Sequence, residues 1–110
     1  MRLLAGHDAT VIEWADKWNG GLGRNPDMAL GVMDEDGVLR GALLLHKYNP
    51  WTWELEVFGR VSNDVAKTFF QGVFVRAGVA RIEIRTSRDN KKIRKAAEKF
   101  GFTWDGVRKG

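Results

Sequence analysis

The sequence contains no cysteine. Without thiols there is neither a disulfide framework nor a thiolate metal site, and the chain suits a reducing compartment, which points to the cytoplasm. Long apolar runs are also absent. The longest unbroken aliphatic run is Ala42 to Leu45, far short of the roughly 20 residues that span a bilayer. No basic region followed by a long apolar one opens the chain, so no signal peptide is expected. There are no internal repeats and no low-complexity tails. The glycines of Gly20-Gly21-Leu22-Gly23 follow no strand and precede no Gly-Lys-Ser/Thr. That excludes a P-loop and leaves a flexible connector. No calcium-loop spacing follows Asp34-Glu35-Asp36, so this acidic run reads as a solvated hairpin tip. No metal site is expected.

What is present suits one globular domain with a real core: 44% of the 110 residues are hydrophobic. The net charge of +4 is unevenly placed. Residues 1–80 carry 8 Lys+Arg and 10 Asp+Glu, net −2, whereas residues 81–110 carry 10 and 4, net +6. An anionic partner should therefore meet the C-terminal third. Nucleic acid is the least favoured such partner, because most of the five tryptophans alternate into strands or face helices, where core packing explains them.

In chain order, Met1 to Ala5 reads as a short edge strand. Thr10-Val11-Ile12-Glu13 has capping-box spacing, with Asp8 as the competing cap. The helix that follows runs to about Asn19 and turns Ile12 and Ala15 inward, with Val11 and Trp18 beside them. Asn19 to Pro26 is a loop by composition. Met28 to Met33 and Val38 to Tyr48 form a hairpin about Asp34 to Gly37, where Gly37 supplies the positive φ. Asn49-Pro50 turns the chain again. From there Trp51, Trp53, Leu55 and Val57 alternate with Thr52, Glu54, Glu56 and Phe58, completing a three-stranded meander. Gly59 to Ser62 leads to a helix capped by Ser62 or Asn63, with Asp64 at the positive end of its dipole. Val65, Ala66, Phe69, Phe70, Val73 and Ala77 form its apolar face, with Phe74 beside it, and Gly78 stops it.

The last third is a further unit of the same kind. Ala80, Ile82, Ile84 and Thr86 alternate with charged residues, as in a strand buried on one face. Asp89 or Asn90 caps a basic helix in which Ile93, Ala96, Ala97 and Phe100 make one apolar stripe. Gly101 ends that helix, and Phe102 to Val107 is again extended. The order β-α-loop-β-β-β-α-β-α-β predicts an α+β fold: a mixed, mostly antiparallel sheet with helices packed on it and a right-handed crossover.

The run Asn90-Lys91-Lys92-Ile93-Arg94-Lys95-Ala96-Ala97-Glu98-Lys99-Phe100-Gly101-Phe102, followed by Asp105-Gly106-Val107-Arg108, resembles the C-terminal signature of GCN5-related N-acetyltransferases. The subgroup it is most similar to acetylates ribosomal-protein N-termini and includes short phage-encoded members. Asn90, Glu98, Lys99, Gly101, Phe102, Gly106 and Arg108 match that pattern without a gap. The resemblance implies the three-layer acyl-CoA N-acyltransferase-like fold, with helices on both faces of the sheet. It implies that the strands at 51–58 and 80–86 part to make a cofactor cleft. Unbroken pairing between them, with no gap toward Asn90, would leave only the architecture. Members of the family carry one more strand after the Gly-Phe segment, which would here be missing or supplied by a second subunit. Tryptophans at 51 and 53, if exposed, would suit such a homodimer face.

The implied activity is acetyl-CoA-dependent transfer of an acetyl group to an amine of a protein or small molecule, in the cytoplasm (the host's, for a phage-encoded protein). The implied cofactor contacts are Val57, Phe58, Gly59, Arg60, Ser62, Asn90, Lys92, Arg94 and Lys95. Free N–H groups at the helix start after Gly59 suit a pyrophosphate. An anion at Asn90-Lys91-Lys92 would offset lysines that otherwise oppose the helix dipole. Glu54 and Glu56 lie where the family often carries a catalytic base, and burial beside aromatic rings would raise such a carboxylate's pKa. His46 is a further base candidate, although its strand position reads as a surface one. Two departures point instead to a non-catalytic protein of the same fold, a virion component or an inhibitor of a host protein. The family's Arg/Gln-x-x-Gly-x-Gly/Ala is replaced by Arg60-Val61-Ser62-Asn63-Asp64-Val65-Ala66, and Ala97 stands where many members hold a general-acid tyrosine.

Overall fold

The computed structural model describes residues 1–22, 25–49, 52–75, 81–86 and 107–108. They form one six-stranded sheet and two helices, an α+β fold. The strands are β1 (Arg2–Leu4), β2 (Met28–Met33), β3 (Leu39–Asn49), β4 (Thr52–Gly59), β5 (Arg81–Thr86) and β6 (Val107–Arg108). They lie in chain order across the sheet. β1 to β4 pair antiparallel, whereas β5 runs parallel to β4 and β6 parallel to β5. Helix α1 (Asp8–Asn19) joins β1 to β2, and α2 (Asn63–Phe69) follows β4 and continues as a π-helical segment, Phe70–Val75.

The alternation predicted for β4 is the one observed. Trp53, Leu55 and Val57 join Leu30, Val32, Leu43 and Leu45 in one buried cluster, closed by Val61, Val65, Ala66, Phe69 and Phe70 from the α2 side. The other face carries Ala29, Ala42, Leu44 and Phe58, packed against Val11 and Ala15 of α1. Period-two strands necessarily offer two faces, and each is buried against the helix that follows a neighbouring strand.

Several local expectations need correction. Helix α1 begins at Asp8, so Thr10 lies inside its first turn and forms no capping box. The Val11 N–H donates to the His7 carbonyl at 3.1 Å, closing that turn early. The Asp8 carboxylate instead accepts the Ala29 N–H at 3.2 Å, tying the helix start to β2. Val11 and Ala15, one turn apart, form the buried stripe, and Trp18 is half exposed. Trp53 is buried beneath the Lys47 ammonium, 4.7 Å from its ring centre, and so is not a free dimer surface. Trp51 lies outside the described residues, as do Ala77, Gly78 and the whole of 87–106.

The Ser62 cap holds. Its backbone is extended and its hydroxyl accepts the Val65 N–H at 3.3 Å. The hairpin turn also holds. Gly37 sits at φ +78°, and Asp34 Oδ1 accepts the N–H groups of Asp36 and Val38 at 2.9 and 3.0 Å.

Where β4 leaves the sheet, two glycines face each other across the β3–β4 ladder, Gly41 opposite Gly59. A Cβ on Gly59 would collide with the Arg40 carbonyl, and one on Gly41 with the Arg60 carbonyl. Gly59 also sits at φ +73°, and the Arg60 N–H donates to the Arg40 carbonyl at 2.9 Å. The close crossing sharpens the exit of the chain toward α2, a use to which glycine is suited.

Candidate functional site

Strand β4 is the centre of the candidate site because it has an antiparallel partner on one side and a parallel one on the other. Its polar face holds Thr52, Glu54, Glu56 and Phe58. The register sets His46 of β3 directly opposite Glu54 and Leu44 opposite Glu56. His46, Glu54 and Glu56 therefore share the α1 face of the sheet. The Nε2 of His46 lies 2.5 Å from Oε1 of Glu56. The His46 side chain is 5% exposed and that of Glu56 16%, and Glu54 is fully buried.

This overturns one expectation: His46 is not a surface residue. Glu54 is wholly buried and Glu56 largely so. The reason is that β4 is an interior strand, paired on both sides, whose second face is also covered, at Phe58 by α1. Trp53 is on the opposite face and cannot desolvate either carboxylate; Phe58 is on theirs. Burying an ionisable group is costly unless it is paired, and the His46–Glu56 contact supplies a pair.

The strands β4 and β5 do not part over the described length. All six residues of β5 pair in register with Thr52 to Val57. Any gap between them begins beyond Val57 and Thr86, at the level of Phe58 and Gly59.

The expected cofactor residues are dispersed by the structure. Val57 packs into the α2 cluster and Phe58 beneath α1, so both are core. Gly59 is the crossing point described above. Arg60 is exposed at the turn, and among the described residues it has no ion-pair partner. The Ser62 hydroxyl is engaged in capping, and Asp64 places a carboxylate in the first turn of α2. This turn is a capped helix start with one cation and one anion, and it has no glycine cradle. Asn90, Lys92, Arg94 and Lys95 lie outside the described residues. Among the described residues no cluster of His, Asp and Glu could hold a metal ion, and no helix is long and apolar enough to cross a membrane.

Sequence reasoning missed the aromatic and cationic pocket beside this turn. Its walls are Trp14, Trp18, Leu39, Arg40, Gly59 and Arg60, and it is an open groove of about 560 Å³. The available signal was the i, i+4 spacing of Trp14 and Trp18, which puts both rings on one side of α1.

No protein-family model, no curated protein and no solved structure matches this chain.

Proposed function

We propose that the protein is an acetyl-CoA-dependent N-acetyltransferase of the GCN5-related kind, acting on an amine of a small molecule or a protein. On this reading the two helices, one against each sheet face, belong to the three-layer acyl-CoA N-acyltransferase-like arrangement. The observation that carries the proposal is the set of three ionisable side chains, His46, Glu54 and Glu56, within one buried sheet face. Apolar residues of like volume would be as stable there or more so. Retaining these groups is what a site that moves a proton requires.

Glu56 is the group with access to solvent and is assigned as the base that accepts the amine proton. His46 fixes its orientation through the Nε2 contact. The residues at 60–64 are a poor fit for a pyrophosphate, because Ser62 is engaged and Asp64 would repel it. Arg60 is the one described cation suited to the task, and the basic residues at 91–95 would have to supply the rest.

Calorimetric titration with acetyl-CoA tests the reading, paired with a thiol-release assay on a panel of amines. Binding by the wild type is expected, with Glu56→Gln binding equally and turning over at least about a hundredfold more slowly, the usual worth of a general base. The absence of heat at about millimolar ligand, or full activity in Glu56→Gln, would falsify it.

One observation favours a second reading, a non-catalytic protein of the same fold that acts by binding another protein. It is the unbroken pairing of β4 with β5, which leaves no wedge between their described lengths. That reading expects no heat with acetyl-CoA and no thiol release with any amine.

A further inference from the structure

The pocket between α1 and the β3–β4 crossing has a composition that selects its ligand. Trp14 and Trp18 stand one helical turn apart, their rings 6.2 Å between centres and 17° from parallel. Trp18 also meets Phe58 edge-on, at 6.0 Å and 62°. Half of Trp18 nevertheless remains exposed. The Trp14 ring seats against the strand end only because residue 59 is glycine; a Cβ there would come within 2.9 Å of it. Leu39, Arg40 and Arg60 form the rest of the wall, and among the described residues no carboxylate lines the pocket. Asp34 engages Arg40 through Nε alone, at 2.7 Å, and the outer nitrogens of that guanidinium remain as donors.

We propose that this pocket binds a planar aromatic molecule bearing a carboxylate or a phosphate. Flat indole faces accept a flat ring, and two guanidinium forks match the paired oxygens of either anion. A cationic amine is disfavoured by the same two arginines. The volume falls within the roughly 300–1,000 Å³ of ordinary small-molecule sites. The pocket shares Arg60 with the proposed pyrophosphate contact, but its test uses no thioester and can succeed where acetyl transfer fails.

The test is a titration of the full chain followed through the indole N–H signals of Trp14 and Trp18, with the buried Trp53 as internal reference. Adenosine monophosphate and indole-3-acetate are the anionic probes; adenosine and tryptamine are their neutral and cationic counterparts. The anions are expected to shift the signals of Trp14 and Trp18 and to leave Trp53 in place. Arg60→Ala should weaken them about tenfold, the usual worth of a hydrogen bond to a charged group. Tighter binding of one anion assigns the site to phosphate or to carboxylate. Three results would overturn the proposal: equal shifts with adenosine and tryptamine, no shift with either anion at about 10 mM, or unchanged affinity in Arg60→Ala. Trp18→Ala, at a half-exposed position, is a second variant that should abolish binding without unfolding the chain.

Discussion

The His46–Glu56 pair can be weighed by a double-mutant cycle. In His46→Leu the Glu56 carboxylate loses the partner that lies 2.5 Å away. Breaking one side of a fully buried pair costs about 3–5 kcal/mol. Glu56 keeps 16% of its side-chain surface, so water compensates in part and about 1–3 kcal/mol is expected. Glu56→Leu leaves the imidazole N–H without its acceptor, at about 1–2 kcal/mol, because one orphaned N–H costs less than an orphaned carboxylate. With both residues leucine nothing is orphaned by the change, and the double variant should lie within about 1 kcal/mol of wild type. With the double variant at wild-type stability the coupling is thus about 2–5 kcal/mol, well outside the roughly 0.5 kcal/mol within which independent sites add. Urea unfolding at neutral pH measures it as midpoint shifts at constant slope. Additive losses would refute the reasoning, and so would a double variant less stable than either single one. A stable double variant that has lost acetyl transfer would show that the pair is kept for chemistry.

Two further predictions concern the turns. Gly59→Ala combines a left-handed backbone with collision at the Arg40 carbonyl, the acceptor of the Arg60 N–H, and should cost about 2–4 kcal/mol. Gly20→Ala has the same φ of +73° in open space and should cost only about 1–2 kcal/mol; equal losses in thermal unfolding would disprove the close crossing. At the hairpin tip, the Arg40 side chain and then the Val38 N–H hold the Asp34 carboxyl below the usual carboxylate range. Because its pKa is depressed on folding, its contribution is present above the unfolded value of about 3.9 and is lost as pH falls through the folded one. The stability gap between wild type and Asp34→Asn should therefore narrow below about pH 4; a gap independent of pH would contradict the assignment.

Strand β2, the turn at 34–37, the faces of β4 and the Ser62 cap were legible in the sequence because each is fixed by neighbours in the chain. Alternation needs only the pleat, a glycine turn only φ, and a cap only three residues. What could not be read depended on distant partners. At the start of α1 the Asp8 carboxylate accepts the Ala29 N–H, a contact that no local pattern records. His46 looked like a surface residue because what buries its face of the sheet is remote in sequence. The closeness of Gly41 and Gly59 likewise arises only when β3 and β4 are in register.

The choice between Glu54 and Glu56, which share a face and a strand, follows from the direction of the sheet. β4 and β5 are parallel and end at the same edge. Ligands of parallel strands bind beyond their carboxyl ends, where turns and helix starts gather. Gly59, Arg60 and the Trp14–Trp18 pocket are all at that edge. Glu56 is one pleat repeat nearer to it than Glu54 and keeps contact with solvent, whereas Glu54 has none. On the acetyltransferase reading, then, Glu56 takes the proton, His46 orients it, and Glu54 acts only through its buried surroundings. A chain in which Glu54→Gln alone abolished transfer while Glu56→Gln did not would reverse that order.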